Sequence, residues 1–95
     1  MWMLLRATAK PQAAAATIAE RRRRWMEDGK DRALKARCRT AQRYLVEGRS
    51  MPQVFWLLDT DDPATAELIT GHFGDLWDIE VLRVAPQDVG AGPLA

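Results

Sequence analysis

The sequence predicts a small α+β domain whose elements run strand, helix, strand, strand, helix, strand. Three observations carry this expectation. Apolar runs of strand length stand near residues 2–8, 53–59 and 77–84; helical periodicity appears over residues 12–28 and 63–70; and glycine or proline punctuates the joints. With 95 residues the chain has enough material for one core and not for two, since domains span roughly 50 to 200 residues. The expectation is one domain over residues 1–86 and a flexible C-terminal tail over residues 87–95.

Trp2 to Thr8 reads as the first strand, closed by Lys10-Pro11. Trp2, Leu4, Arg6 and Thr8 point one way and Met3, Leu5 and Ala7 the other, so Arg6 is the single charge on an apolar element. A helix from about Gln12 to Asp28 follows, with Pro11 tolerated in its first turn, Ala14, Ile18 and Trp25 on one stripe, and Gly29 as its end. Lys30 to Gln42 fits a continuing helix and an alternating strand equally well. Arg43 to Glu47 reads as a strand, and Gln53 to Asp59 as one buried on both faces and therefore central in the sheet. Thr60-Asp61-Asp62-Pro63 starts a second helix: an aspartate oxygen accepts free first-turn amides and proline presets the next φ angle. That helix runs to about Thr70, with Ala66, Leu68, Ile69 and Phe73 inward and Gly71 and Gly74 terminating it. Trp77 to Val84 is the last strand, stopped by Pro86. The order is the split βαβ arrangement of a ferredoxin-like antiparallel sheet of four strands with its helices on one face.

Such a sheet leaves its other face bare. Residues 54–58 and 81–84 carry apolar side chains on both sides, so a cover is needed, and a second copy of the chain is the economical one.

Composition sets further bounds. A hydrophobic share of 47% with 28% charged residues is globular, and 14 basic against 13 acidic residues leave a net charge of +1, too little for the field that non-specific nucleic-acid binding requires. Nucleic acid is therefore not an expected partner. The Arg21 to Arg24 run with Arg32, Lys35, Arg37, Arg39 and Arg43 offers a nucleic-acid or phosphate surface, but four consecutive helical residues are dispersed at about 100° each beside Glu20, Glu27 and Asp28, so a solvated face is the expectation. Cys38 is the one cysteine, which excludes an intrachain disulfide and fits a reducing, cytoplasmic setting. The apolar start Met1 to Leu5 is cut by Arg6, so it reads as a strand and not a leader, and no run approaches the roughly 20 residues of a membrane span. Asp59, Asp61 and Asp62 are explained as turn and cap, no metal site is expected, and no cofactor motif is present.

Three segments carry a resemblance. Met1-Trp2-Met3-Leu4-Leu5-Arg6 resembles a first strand ending in arginine, Leu58-Asp59-Thr60-Asp61-Asp62 an acidic turn after a third strand, and Trp77-Asp78-Ile79-Glu80-Val81 a closing strand with an Asp-Ile-Glu-Val run. All three are similar to the muconolactone isomerase-like family of the dimeric α+β barrel superfamily. The resemblance implies a homodimer and, in each subunit, a pocket between sheet and helices for small, often aromatic or lactone-like molecules. The functional expectation is a cofactor-independent isomerase- or cyclase-like enzyme moving a proton on a small hydrophobic organic acid or lactone. The alternative is a non-catalytic small-molecule-binding or accessory module. In the enzyme reading His72 is the proton shuttle, Tyr44 the orienting hydroxyl, and Arg6 the anion clamp, while Trp56 and Trp25 line the substrate site. The competing expectation for Arg6 is a cross-strand ion pair with Glu80 or Asp78.

Overall fold

A computed structural model describes residues 1–90. The elements are β1 (Trp2–Ala9), α1 (Ala15–Glu27), α2 (Lys30–Ala36), β2 (Thr40–Leu45), β3 (Gln53–Asp59), a 3-10 turn (Pro63–Ala66), α3 (Glu67–Phe73) and β4 (Trp77–Val84). The strands form one sheet in the order β2-β3-β1-β4, with every neighbouring pair antiparallel. This is the expected βαββαβ-like, ferredoxin-like α+β architecture, with β1 and β3 central.

Side-chain alternation divides the sheet. On one face Met3, Leu5, Ala7 and Ala9 of β1 and Val54, Trp56 and Leu58 of β3 are buried, and they share a core with Trp25 of α1, Leu34 of α2 and Ile69 and Phe73 of α3. On the other face Trp2, Leu4, Phe55 and Leu57 are half-buried by one another, and no helix lies over them. Tyr44 at 51% exposure, Leu82 at 38% and Val84 at 36% extend that apolar surface towards both sheet edges.

The ambiguous stretch resolves into two elements. Residues 30–36 are α2, and the second strand begins at Thr40, so it spans Thr40–Leu45 and not Arg43 to Glu47. Gly29 makes the break between α1 and α2 with φ at +71°, a left-handed conformation that a side chain disfavours. α1 starts at Ala15, which leaves Pro11 in the preceding turn, and its N-cap Ala14 offers no side-chain acceptor, so the packing of Trp25 holds this helix more than its cap does.

The turn before α3 follows the expected mechanism. Asp62 Oδ1 accepts the Ala64 amide at 2.9 Å with proline in the first turn. Below it, the buried Thr60 hydroxyl donates to the Arg37 carbonyl at 2.8 Å and stands 3.2 Å from the Thr65 hydroxyl, which leaves neither buried polar group isolated. Gly71 lies inside α3 and does not end it. Gly74 does, with an ordinary φ of −64°; a side chain is barred there because a Cβ would collide with the Thr70 carbonyl oxygen.

Residues 85–90 continue past β4 without regular structure, and the rest of the expected tail, residues 91–95, lies outside the described residues. Among the described residues no helix is long and apolar enough to cross a membrane.

Candidate ligand cavity

Between the sheet's covered face and the helices lies a cavity of about 310 Å³, at the small end of the range for small-molecule sites. Its wall is largely aromatic and aliphatic. Trp25 comes from α1, Trp56 from β3, Phe73 from α3 and Trp77 from β4, with Ile18, Leu34, Val54, Ile69 and Ile79 between them. Trp25 and Trp56 meet edge to face with ring centroids 5.9 Å apart, and Phe73 stands 5.2 Å from Trp25 and 6.3 Å from Trp56. Tilted contacts of this kind fix ring orientation.

The polar part of the wall is Gln42 and four charged residues. Arg22 of α1, Asp31 and Lys35 of α2 and Arg43 of β2 all line the cavity, Arg22 and Lys35 exposed and Asp31 and Arg43 half-buried. Among the described residues none of the four makes an ion pair. Arg43 is placed by register: it pairs with Trp56 and points to the same face, where its guanidinium carbon lies 5.7 Å from the Trp56 ring centroid. Burial, and secondarily repulsion from Arg22, holds its pKa below the ordinary arginine value. The Asp31 Oδ1 atom is buried and has no hydrogen-bond partner, the only such side-chain atom among the described residues.

Of the five residues singled out from the sequence, Trp25 and Trp56 line this cavity and three do not. Arg6 lies on the uncovered face, where it donates to Glu80 at 3.0 Å across the β1–β4 pairing. Tyr44 is on that face too, opposite Phe55. His72 sits behind Trp25 with ring centroids 5.3 Å apart. Both its nitrogens are engaged: Nε2 donates to the Arg21 carbonyl at 2.9 Å, and Nδ1 accepts from Lys30 Nζ at 2.9 Å. Arg21 completes the tie by donating to the His72 carbonyl at 2.7 Å and forking onto Asp75, so the histidine fastens α1, α2 and α3 around Trp25.

Sequence reasoning left Asp31 unremarked and read Arg22, Lys35 and Arg43 only as members of a dispersed, solvated basic surface. A signal for Arg43 existed, because Ala41, Arg43 and Leu45 alternate with Thr40, Gln42 and Tyr44, which places a charge among apolar neighbours just as in β1. Asp31 and Lys35 fall in the stretch whose conformation the pattern left open.

A second, shallower depression at the other end of the sheet shows different electrostatics. Arg39 forks onto Asp59 and Asp61 at 2.8 to 3.1 Å, which holds both carboxyls below the ordinary aspartate value. Cys38 beside them is pushed up, first by burial and then by the Asp59 charge, so its thiol stays protonated and unreactive. Among the described residues no cluster of three or more His, Cys, Asp or Glu is placed to hold a metal ion.

No protein-family profile and no curated protein matches this sequence. A structural likeness does exist. The crystal structure of At3g17210 from Arabidopsis thaliana superposes with a TM-score of 0.51 at 16% identity, over 94% of this chain and 97% of that one. The likeness establishes the fold and nothing finer.

Proposed function

We propose that the chain binds a small, flat, hydrophobic organic acid in the cavity between sheet and helices. One observation supports this above all: Arg43 is held half-buried over Trp56 in a wall that is largely aromatic and aliphatic, paired to no carboxylate and at a cost in hydration, with the exposed Arg22 and Lys35 also lining the cavity. An anionic group on a ligand supplies the missing partner through charge-assisted hydrogen bonds, and the tryptophans receive its apolar body. The test is tryptophan fluorescence titration with benzoate. Quenching is expected to saturate, and Arg43→Met is expected to weaken binding about tenfold or more; unchanged affinity in that variant defeats the proposal.

A second reading, the cofactor-independent isomerase- or cyclase-like enzyme of the muconolactone isomerase-like kind, is favoured by the Asp31 carboxylate in the cavity, a group able to accept a proton. It loses its original proton carriers, since neither His72 nor Tyr44 lines that space. The non-catalytic role therefore accounts for more of the geometry.

The working unit of the proposal is a homodimer formed through the uncovered sheet face over residues 1–86, in a cytoplasmic setting. Trp2, Leu4, Phe55, Leu57, Leu82 and Val84 give that face an apolar centre, and the Arg6–Glu80 pair is self-compensating within it. Sedimentation at micromolar concentration is expected to return twice the chain mass; a well-folded single chain there removes the dimer from the proposal.

A further inference from the structure

The cavity has a direction. Its wall draws on every strand, with Arg43 from β2, Val54 and Trp56 from β3, Ala7 from β1 and Ile79 from β4. Those strands lie in the order β2-β3-β1-β4, so the lining crosses the whole sheet. At about 4.8 Å per strand, the two outer strands stand on the order of 14 Å apart. Register supplies a floor: Val54 pairs with Ala7 and Ala7 with Ile79, one continuous row on the covered face. Ala7 is the smallest of the three and lies in the middle, which leaves room above it between its larger neighbours.

The two ends differ in polarity. Every charged residue in the wall belongs to α1, α2 or β2, whereas β3, β1 and β4 contribute apolar side chains only. An acid therefore has one way to lie: its carboxylate at the β2 edge beside Arg43, and its apolar part over Val54 and Ala7 towards Ile79. Resting on the binding reading above, we infer that the ligand is a narrow, unbranched aliphatic acid of about eight to ten carbons, laid across the strands. A volume of about 310 Å³ drawn out over that distance suits one extended chain, and a zigzag of C–C bonds of about 1.5 Å needs about ten carbons to cover it. A single ring such as benzoate engages Arg43 and Trp56 and falls short of Ile79.

The experiment is a chain-length series from butanoate to hexadecanoate, with benzoate alongside, each below the concentration at which it forms micelles. The readout is tryptophan fluorescence of the whole chain. Affinity is expected to rise about fourfold per methylene as each is buried, and to stop rising at about ten carbons, where the β4 edge is reached. Ile79→Phe shortens the far end and is expected to weaken decanoate about tenfold while leaving hexanoate within about twofold. Ile79→Ala lengthens that end and is expected to move the stopping point outwards by about one carbon or more. Arg43→Met is expected to weaken every chain length by a similar factor. Near-ultraviolet circular dichroism verifies folding; should Ile79→Phe not fold, Ile79→Ala carries the test. Affinity that levels off at hexanoate, that keeps rising through hexadecanoate, or that Ile79→Phe lowers equally at every length overturns the inference while the binding reading stands. If neither benzoate nor any chain binds, the binding reading falls and this inference falls with it.

Discussion

The two faces of the sheet each carry an arginine among apolar residues, and they treat it differently. On the uncovered face Arg6 is opposite Glu80 and bonded to it, so the pair is neutral as a unit. On the covered face Arg43 is opposite Trp56 and paired to no carboxylate, and Arg22 adds a like charge nearby. A compensated charge suits a surface that meets another protein surface, because association leaves no ion without a partner. An uncompensated charge in a cavity suits a site completed by a small ion. Which strand residue faces which layer therefore decides whether an arginine meets a carboxylate or a tryptophan.

The largest effect expected from breaking this comparison comes from neighbours on one strand. Leu5 is fully buried on the covered face, and Leu5→Ala is expected to cost about 3 kcal/mol in denaturant unfolding, whereas Leu4→Ala, next door on the other face, is expected to cost about 1 kcal/mol at concentrations where the chain is a monomer. Equal costs would mean that the two faces are equally covered. The next effect concerns the pair on the uncovered face. In the proposed dimer Arg6→Met is expected to weaken association by about 2 kcal/mol because it strands Glu80, and the double change Arg6→Met with Glu80→Leu is expected to recover most of that in sedimentation equilibrium. A double variant as weak as the single one would show that the pair is not enclosed.

Smaller still is the expected stability change for Arg43→Met, within about 0.5 kcal/mol of the parent, since the loss of its contact with Trp56 is offset by removal of a desolvated cation that no carboxylate pairs. A loss of about 2 kcal/mol would make Arg43 a structural residue. The acid limb sharpens the contrast at the sheet's other end. Asp59, Asp61 and Asp75 have folded pKa values below the ordinary 3.8, so the stability they contribute is complete above that value and disappears as pH falls through and below it. Arg39→Gln is expected to flatten the acid-unfolding profile by releasing two of the three, and an unaltered profile would show that these exposed pairs contribute nothing measurable.

The fold was legible in the sequence wherever pattern and punctuation agreed. Gln53–Asp59 and Trp77–Val84 have the boundaries that apolar runs and turn residues imply, and the Asp62 cap works as its chemistry requires. Legibility failed between Lys30 and Gln42, where Ala33, Leu34, Ala36 and Cys38 satisfy two periods at once and only Gly29's positive φ and the pairing of Thr40 with Asp59 decide. The site suffered for the same reason. A strand started three residues late leaves the facing of Arg43 and Tyr44 unassigned, and alternation makes such facings all-or-none. His72 drew attention as the sole histidine, but its surroundings, which no sequence pattern displays, engage both ring nitrogens in holding helices together.

The placement of β1 has a consequence for how the chain is made. Its partners are β3 and β4, and its ladder with β4 joins Trp2 to Val84, the widest separation in the sheet. On a ribosome the first strand emerges long before either companion exists, and it must wait, greasy on both sides, while helices form quickly behind it. Closure of the sheet is therefore a late event set by the arrival of the fourth strand, and the interval before it is when nascent chains are most exposed to pairing with the wrong neighbour.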